Sequence, residues 1–269
     1  MVTFENIKKK DLDILLGYGF AEENPKTEYE LVRFTGPCTL VLYRSGKLIL
    51  QGKENEVTRI RKVLSKLGIG QEVLKSEFKE EIGIVIGSDE TLKGDTFGGL
   101  IVAGVKADDK TREKLNKLKI EDSKNISDNE IPKIAEKIKS MVSYSIKNVY
   151  PDEYNKSELT PLLNQLHRGV KQDLGQGLHI VDKYPGCRVG DLIVERADSK
   201  YLEVAAASII ARDEALKQLK ELSEQAGFEL PKGSTHVKEG LEELKKRGLE
   251  FEKFVKLHFK NVREFLEKQ

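Results

Sequence analysis

The stretch VAAASIIARDEALKQLKELSEQAG, residues 204–227, constrains the fold more than any other. Its periodicity is helical, and its first turns carry alanine and serine where bulky residues would usually stand. Side chains this small leave a face that could pack tightly on a sheet. Four runs qualify as strands: residues 82–88, the Gly- and Val-rich run 97–106, GLHIVD and DLIVERAD. A helix is expected at about 128–144, and two amphipathic helices at 237–247 and 249–267. Strands followed by helices predict an α/β domain, a mixed sheet with flanking helices.

The N-terminal region reads differently. A polar, helical opening is followed by TLVLY, a turn at Arg44-Ser45-Gly46-Lys47, and LILQG, which is a hairpin signal. A helix then carries Val57, Ile60, Val63, Leu64 and Leu67 on one side and stops at Gly68. Such a sheet buries one face and leaves the other for a partner. Residues 1–70 are therefore expected to form a small α+β domain, 71–81 a polar linker, and 82–269 the larger domain. Arg44 and Lys47 bracket the hairpin turn; Tyr43 and Phe34 would either stack on a ligand or belong to a buried face.

With 46 Lys and Arg against 45 Asp and Glu, net charge announces no nucleic-acid partner, and any such footprint must be local. No apolar stretch approaches the roughly 20 residues of a membrane span, and the N-terminus lacks a secretory layout. Cys38 and Cys187 stand far apart in unlike contexts and read as thiols rather than as a disulfide or metal pair. A cytoplasmic protein is expected, and no feature calls for an obligate protein partner.

Asp89 and Glu90 end an apolar run, Asp182 ends LHIVD, and Asp198 follows LIVERA just before the long helix. Carboxylates at the strand ends of one sheet repel and raise one another's pKa unless cations or shared protons intervene. Hard divalent metals, Mg²⁺ or Mn²⁺, suit an all-carboxylate set. Each acid also has an ordinary reading, as a turn residue or, for Asp198, a helix N-cap. Spacing leaves that choice open.

Beyond these patterns, the chain resembles ribonuclease HIII over nearly its whole length. GSDETLKGDTFGG (87–99), IEDSKNISD (120–128), PDEYN (151–155), LLNQLHRG (162–169), HIVDKY, ADSKYLEVAAASIIAR (197–212), LPKGSTHV (230–237) and FVKLHFKN (254–261) are similar to that family's motifs, in order. The hairpin with SGKLILQGK resembles the family's substrate-binding appendage, folded like half of a TATA-binding protein. The resemblance implies an RNase H-like fold that cleaves the RNA strand of RNA–DNA hybrids, or RNA-containing duplexes, to 5′-phosphate and 3′-hydroxyl ends by a two-metal mechanism. It places Mg²⁺ or Mn²⁺ on Asp89, Glu90, Asp182 and Asp198. Many relatives carry Glu at the fourth position, where Asp198 matches the ribonuclease HII version instead.

Substrate contacts are expected from Lys93, Lys124 and Lys200 on phosphates, from Ser123 and Ser199, and from Arg44 and Lys47 in the first domain. Each lysine also reads as an ordinary surface group. His167 would touch substrate or be a satisfied structural histidine. The loop Leu92-Lys93-Gly94 stands where the family has Gly-x-Gly, whose backbone reads the ribose 2′-hydroxyl. Leucine there strains the chain if φ is positive or crowds the groove if it is not. Gly99 replaces a usual proline and is expected to loosen the loop's end. Two further readings stay open: a nuclease with a relaxed ribonucleotide requirement, or a hybrid- or DNA-binding protein with little turnover.

Overall fold

The computed structural model describes residues 2–72, 78, 79, 81, 83–118, 120, 126–233 and 235–268. The chain divides into two compact units, Met1–Lys75 and Ser76–Gln269.

In the first unit β1 (Val2–Glu5), β2 (Ala21–Glu23), β3 (Glu30–Thr35), β4 (Thr39–Tyr43), β5 (Leu48–Gln51) and β6 (Gln71–Glu72) form one antiparallel sheet, ordered β2-β3-β4-β5-β1-β6. The expected hairpin is β4 and β5. The opening is not a helix: β1 pairs with β5, and the helix that follows, Lys9–Tyr18, is of the 3-10 type with Leu12 and Leu15 buried. Strand alternation sends Val32, Phe34, Leu40, Leu42, Leu48 and Leu50 to the face covered by Val57, Ile60 and Leu64 of α1 (Glu54–Lys66). Phe34 is therefore core and presents nothing for stacking. On the opposite face Arg33, Val41 and Ile49 lie in register across three strands. The expected linker loses its first two residues to this sheet, because Gln71 and Glu72 pair with Glu5 and Phe4.

The second unit is built on β7 (Val85–Thr91), β8 (Leu100–Ala107), β9 (Ser143–Val149), β10 (Leu178–Asp182) and β11 (Leu192–Val194), in the order β11-β10-β7-β8-β9. β7, β10 and β11 run parallel, and β8 and β9 are antiparallel. Between them lie α2 (Asp109–Asn116), α3 (Ile131–Lys139), α4 (Pro151–Tyr154) and α5 (Leu159–Leu174); α6 (Leu202–Ala226), α7 (Val237–Lys246) and α8 (Lys260–Glu267) follow. Ile101, Ala103 and Val105 of β8 pack with Ala206, Ala207 and Ile210 of α6. Leu100 and Val102 point the other way, to Leu163, Leu166 and Val170 of α5. The sheet is thus sandwiched between two helical layers, an RNase H-like mixed α/β arrangement.

Two glycines make that sandwich close. A Cβ at Gly87 would collide with the backbone of Glu203 and Val204, and one at Gly104 with the Val170 side chain. The alanine-rich start of α6 therefore rests almost directly on β7.

Three expectations are corrected. The helix read at 128–144 ends at Lys139, and Ser143–Val149 is an edge strand whose polar residues hid it. The last helix is broken: a 3-10 turn at Phe251–Lys253 leads into an extended segment, with Val255 bridging to Phe97, before α8 begins. Asp198 does not end a strand. β11 stops at Val194, and Asp198 sits in a 3-10 turn, Ala197–Ser199, entered through Arg196 at φ +55°.

Candidate active site

Strand β7 runs through its acidic pair to Thr91, so alternation puts Asp89 and Glu90 on opposite faces of the sheet. Asp89 faces α6, while Glu90 faces α5 together with Ser88. The parallel register pairs Val181 with Ser88, so one step further Asp182 comes beside Asp89 at the carboxyl edge of the two strands. Asp182 Oδ1 accepts a 2.7 Å bond from the Ala197 amide, which ties β10 to the turn bearing Asp198. A cleft of about 490 Å³ results, lined by all four carboxylates with Thr91, Leu92, Lys93, Gly94, Ser208 and Arg212. Clefts outside the carboxyl ends of parallel strands are where such sheets bind ligands.

The acids are held unequally. Burial pushes the Asp89 carboxyl up to about 8, and the charges of Glu90 and Asp182 push the same way. Burial also raises Glu90, but its interactions with His167 and Lys93 outweigh it, and Glu90 lies below its ordinary value. Lys93 Nζ meets Glu90 Oε1 at 2.5 Å. Glu90 Oε2, buried and without a hydrogen bond, faces His167 Nε2 at 3.5 Å. The site therefore combines one carboxyl that favours its proton with a neighbour kept ionised.

Leu92 adopts the left-handed conformation, φ +63°, that glycine would take without strain. Leu92 lines the cleft, and its side chain packs inward. It is 6% exposed and belongs to the core with Phe97 and Leu219, its Cδ1 lying over Gly98. Burial of the side chain offsets a backbone cost of about 1–2 kcal/mol. The usual order of substitutions should consequently invert. Leu92→Ala forfeits the packing and keeps the strain, at about 2–4 kcal/mol, whereas Leu92→Gly costs about 1 kcal/mol less. Urea unfolding checks this, and an alanine variant more stable than the glycine one contradicts it.

The end of the loop is pinned rather than loosened. The Gly99 amide donates to Gln218 Oε1 at 2.8 Å, and the Gly98 amide to the Phe254 carbonyl at 3.0 Å. Beneath them Lys256, fully buried, donates from Nζ to the carbonyls of Asp95 (2.6 Å) and Gly98 (2.8 Å), and from its amide to that of Thr96 (3.0 Å). Burial brings its ammonium down to about 7. These bonds account for the break in the last helix.

Of the other expected contacts, Lys93 and Gly94 line the cleft. Ser199 and Lys200 turn back on their own loop, donating to the carbonyls of Arg196 (2.8 Å) and Glu195 (2.7 Å). His167 is fully buried behind Glu90 and does not reach the cleft surface. Arg44 and Lys47 are exposed at the hairpin of the first unit, where Arg44 Nε donates to the Glu28 carbonyl. Ser123 and Lys124 lie outside the described residues. Ser208 and Arg212 were absent from the sequence-based set; their signal was two polar residues four apart in an otherwise apolar helix face.

Four carboxylates are a hard-oxygen donor set, and the proton that burial forces on Asp89 is one that a cation would displace, so the residues fit a divalent metal of the Mg²⁺ or Mn²⁺ kind. Among the described residues no three His, Cys, Asp or Glu side chains already converge as a metal cluster. Glu90 is engaged by Lys93 and His167 instead.

Comparison with known proteins agrees with this fold. The family model for ribonuclease HII matches residues 86–262. Ribonuclease HIII of Protochlamydia amoebophila is 34% identical, covering 83% of this chain and 82% of that one. Ribonuclease HIII of Aquifex aeolicus is 33% identical over 93% and 95%. A crystal structure of Bst-RNase HIII in complex with Mn²⁺ superposes with TM-score 0.64 at 26% identity, covering 99% of this chain and 98% of that one. That of Aquifex aeolicus RNase H3 gives 0.56 at 29%, over 95% and 98%. Fold and sequence converge: the chain belongs to the ribonuclease HII family, in its ribonuclease HIII branch, and is a ribonuclease H enzyme.

Proposed function

We propose that this enzyme hydrolyses the RNA strand of RNA–DNA hybrids, leaving 5′-phosphate and 3′-hydroxyl ends. Asp89, Glu90, Asp182 and Asp198 would hold Mg²⁺ or Mn²⁺. The observation that carries this is the meeting of all four acids in one cleft, with Asp89 and Asp182 side by side on adjacent parallel strands. Two bound divalent ions would supply a water of lowered pKa and a Lewis acid for the leaving oxygen. Lys93, partly exposed at the rim, supplies positive charge for a phosphate. The left-handed turn at Leu92 keeps the backbone of 92–94 on a path open to glycine, so it can approach the ribose edge.

The first unit is assigned to substrate binding, with the exposed Arg44 and Lys47 at the hairpin as its phosphate contacts. Among the described residues no helix is long and apolar enough to cross a membrane, in keeping with a nucleic-acid substrate. The relaxed-specificity reading rests on the altered loop; Leu92 does take the positive φ, with its side chain packed in the core.

With Mg²⁺ or Mn²⁺, purified protein is expected to cut a fluorescent RNA–DNA hybrid and leave the matching DNA duplex whole. Equal cutting of both would favour the relaxed nuclease, and binding of hybrid without cutting under either ion would favour a binding protein.

A further inference from the structure

Behind Glu90 lies a buried polar chain that the proposed reaction does not use. Ser88, His167 and His179 are each 2% exposed or less, and they come from β7, α5 and β10. Ser88 Oγ lies 2.8 Å from His167 Nδ1 and 2.8 Å from His179 Nε2. His167 Nε2 lies 3.5 Å from Glu90 Oε2, and neither atom has another hydrogen-bond partner.

A serine hydroxyl has one proton to give, so of the two ring nitrogens one accepts from Ser88 and the other donates to it. Glu90 decides the direction. An ionised carboxylate against a bare ring nitrogen would be repulsive in a buried setting, whereas against an N–H it is favourable. With its N–H at Nε2 facing Glu90, His167 accepts the Ser88 proton at Nδ1. Ser88 Oγ then accepts from His179 Nε2–H. Burial holds His179 down to about 4, so that ring is neutral and has one N–H to donate. Each step has its donor and acceptor, and the chain ends on Glu90.

We propose that His179–Ser88–His167 is the device that positions Glu90, with His167 as the positioning residue. Its Nε2–H secures Oε2, leaving Oε1, where Lys93 now sits, as the oxygen offered to a cation. Groups that orient a carboxylate from behind affect metal affinity by about 10–100-fold. The proposal rests on the metal-site reading above.

The test compares His167→Asn, His167→Gln and Ser88→Ala with the wild type by Mn²⁺ titration, following the electron paramagnetic resonance of the free ion, with circular dichroism to check folding. Asparagine keeps a polar group near the Nδ1 position and loses the one facing Glu90; Mn²⁺ affinity should fall about 10-fold. Glutamine reaches the Nε2 position and should recover most of that loss. Ser88→Ala, a small change of volume, should weaken Mn²⁺ several-fold by freeing the histidine tautomer. Unchanged affinity in folded His167→Asn or in Ser88→Ala overturns the proposal, as does an equal loss in the glutamine variant. Wild type that takes up no Mn²⁺, or Asp89→Asn that takes it up unchanged, overturns the metal-site reading and this proposal with it.

Discussion

Asp89→Asn should cleave no measurable hybrid and yet, without metal, be the more stable protein. The loss of activity follows from removing one of the four proposed metal ligands. A fall of about three orders of magnitude or more is expected. The gain in stability follows from the burial that drives Asp89 from its ordinary 3.8 up to about 8, beside Glu90 and Asp182. Between those values the native protein holds a proton that the unfolded chain has released. Unfolding therefore becomes progressively easier as pH climbs from about 4 to about 8. Asparagine resembles the protonated acid and does not titrate, so the variant's advantage should widen across that window and level off above it. It should reach about 1–3 kcal/mol, less than full linkage because the neighbouring acids share the charge. Adding Mg²⁺ or Mn²⁺ should narrow or reverse the gap, since the ions stabilise only a protein that binds them. Thermal unfolding in EDTA at pH 5 and 8, then with metal, reads each part. A wild type more stable than the variant at pH 8 in EDTA would show that the acids are not in conflict.

That conflict was legible from the sequence only in outline. An apolar run closing on Asp89-Glu90 marks a strand edge, but the faces the two acids take depend on where β7 ends. The strand runs on to Thr91 because β8 pairs with it there. His167 had two readings of equal standing, and only the meeting of α5 with Ser88 decides between them. Edge strand β9 escaped detection because, with one neighbour, SYSIKNV has little apolar character to display. The broken last helix escaped for the opposite reason. VKLHFKNVREFL has good helical periodicity, and the competing partner for Lys256 is a loop some 160 residues earlier. Local pattern carries the elements whose partners are solvent or one core face. It misses those whose hydrogen bonds go to distant backbone.

Gly99→Pro should be the most disruptive single substitution in the loop, although the resemblance to ribonuclease HIII makes proline the expected residue there. Proline has no amide hydrogen, so Gln218 Oε1 would lose its 2.8 Å donor in a buried position, at about 1–3 kcal/mol. Any Cβ at residue 99 would also run into the carbonyl oxygen of Val149, at the end of β9. Gln218 Nε2 donates to that same carbonyl at 3.1 Å, so neither partner can withdraw without breaking a second bond. The two effects together should exceed about 4 kcal/mol and lower the melting temperature of this unit by about 8–16 °C. Gly99→Ala keeps the amide and meets only the collision, so it should fall between the variant and the wild type. Because Gly98 and Gly99 anchor the strand side of the loop carrying Leu92 and Lys93, residual folded Gly99→Pro protein should also bind hybrid less tightly. A proline variant that melts with the wild type would mean that Gln218 and Val149 yield, and that the loop's end is as loose as its sequence suggests. The opposite result would show that the bond from the Gly99 amide to Gln218, with Val149 alongside, pins the loop's end.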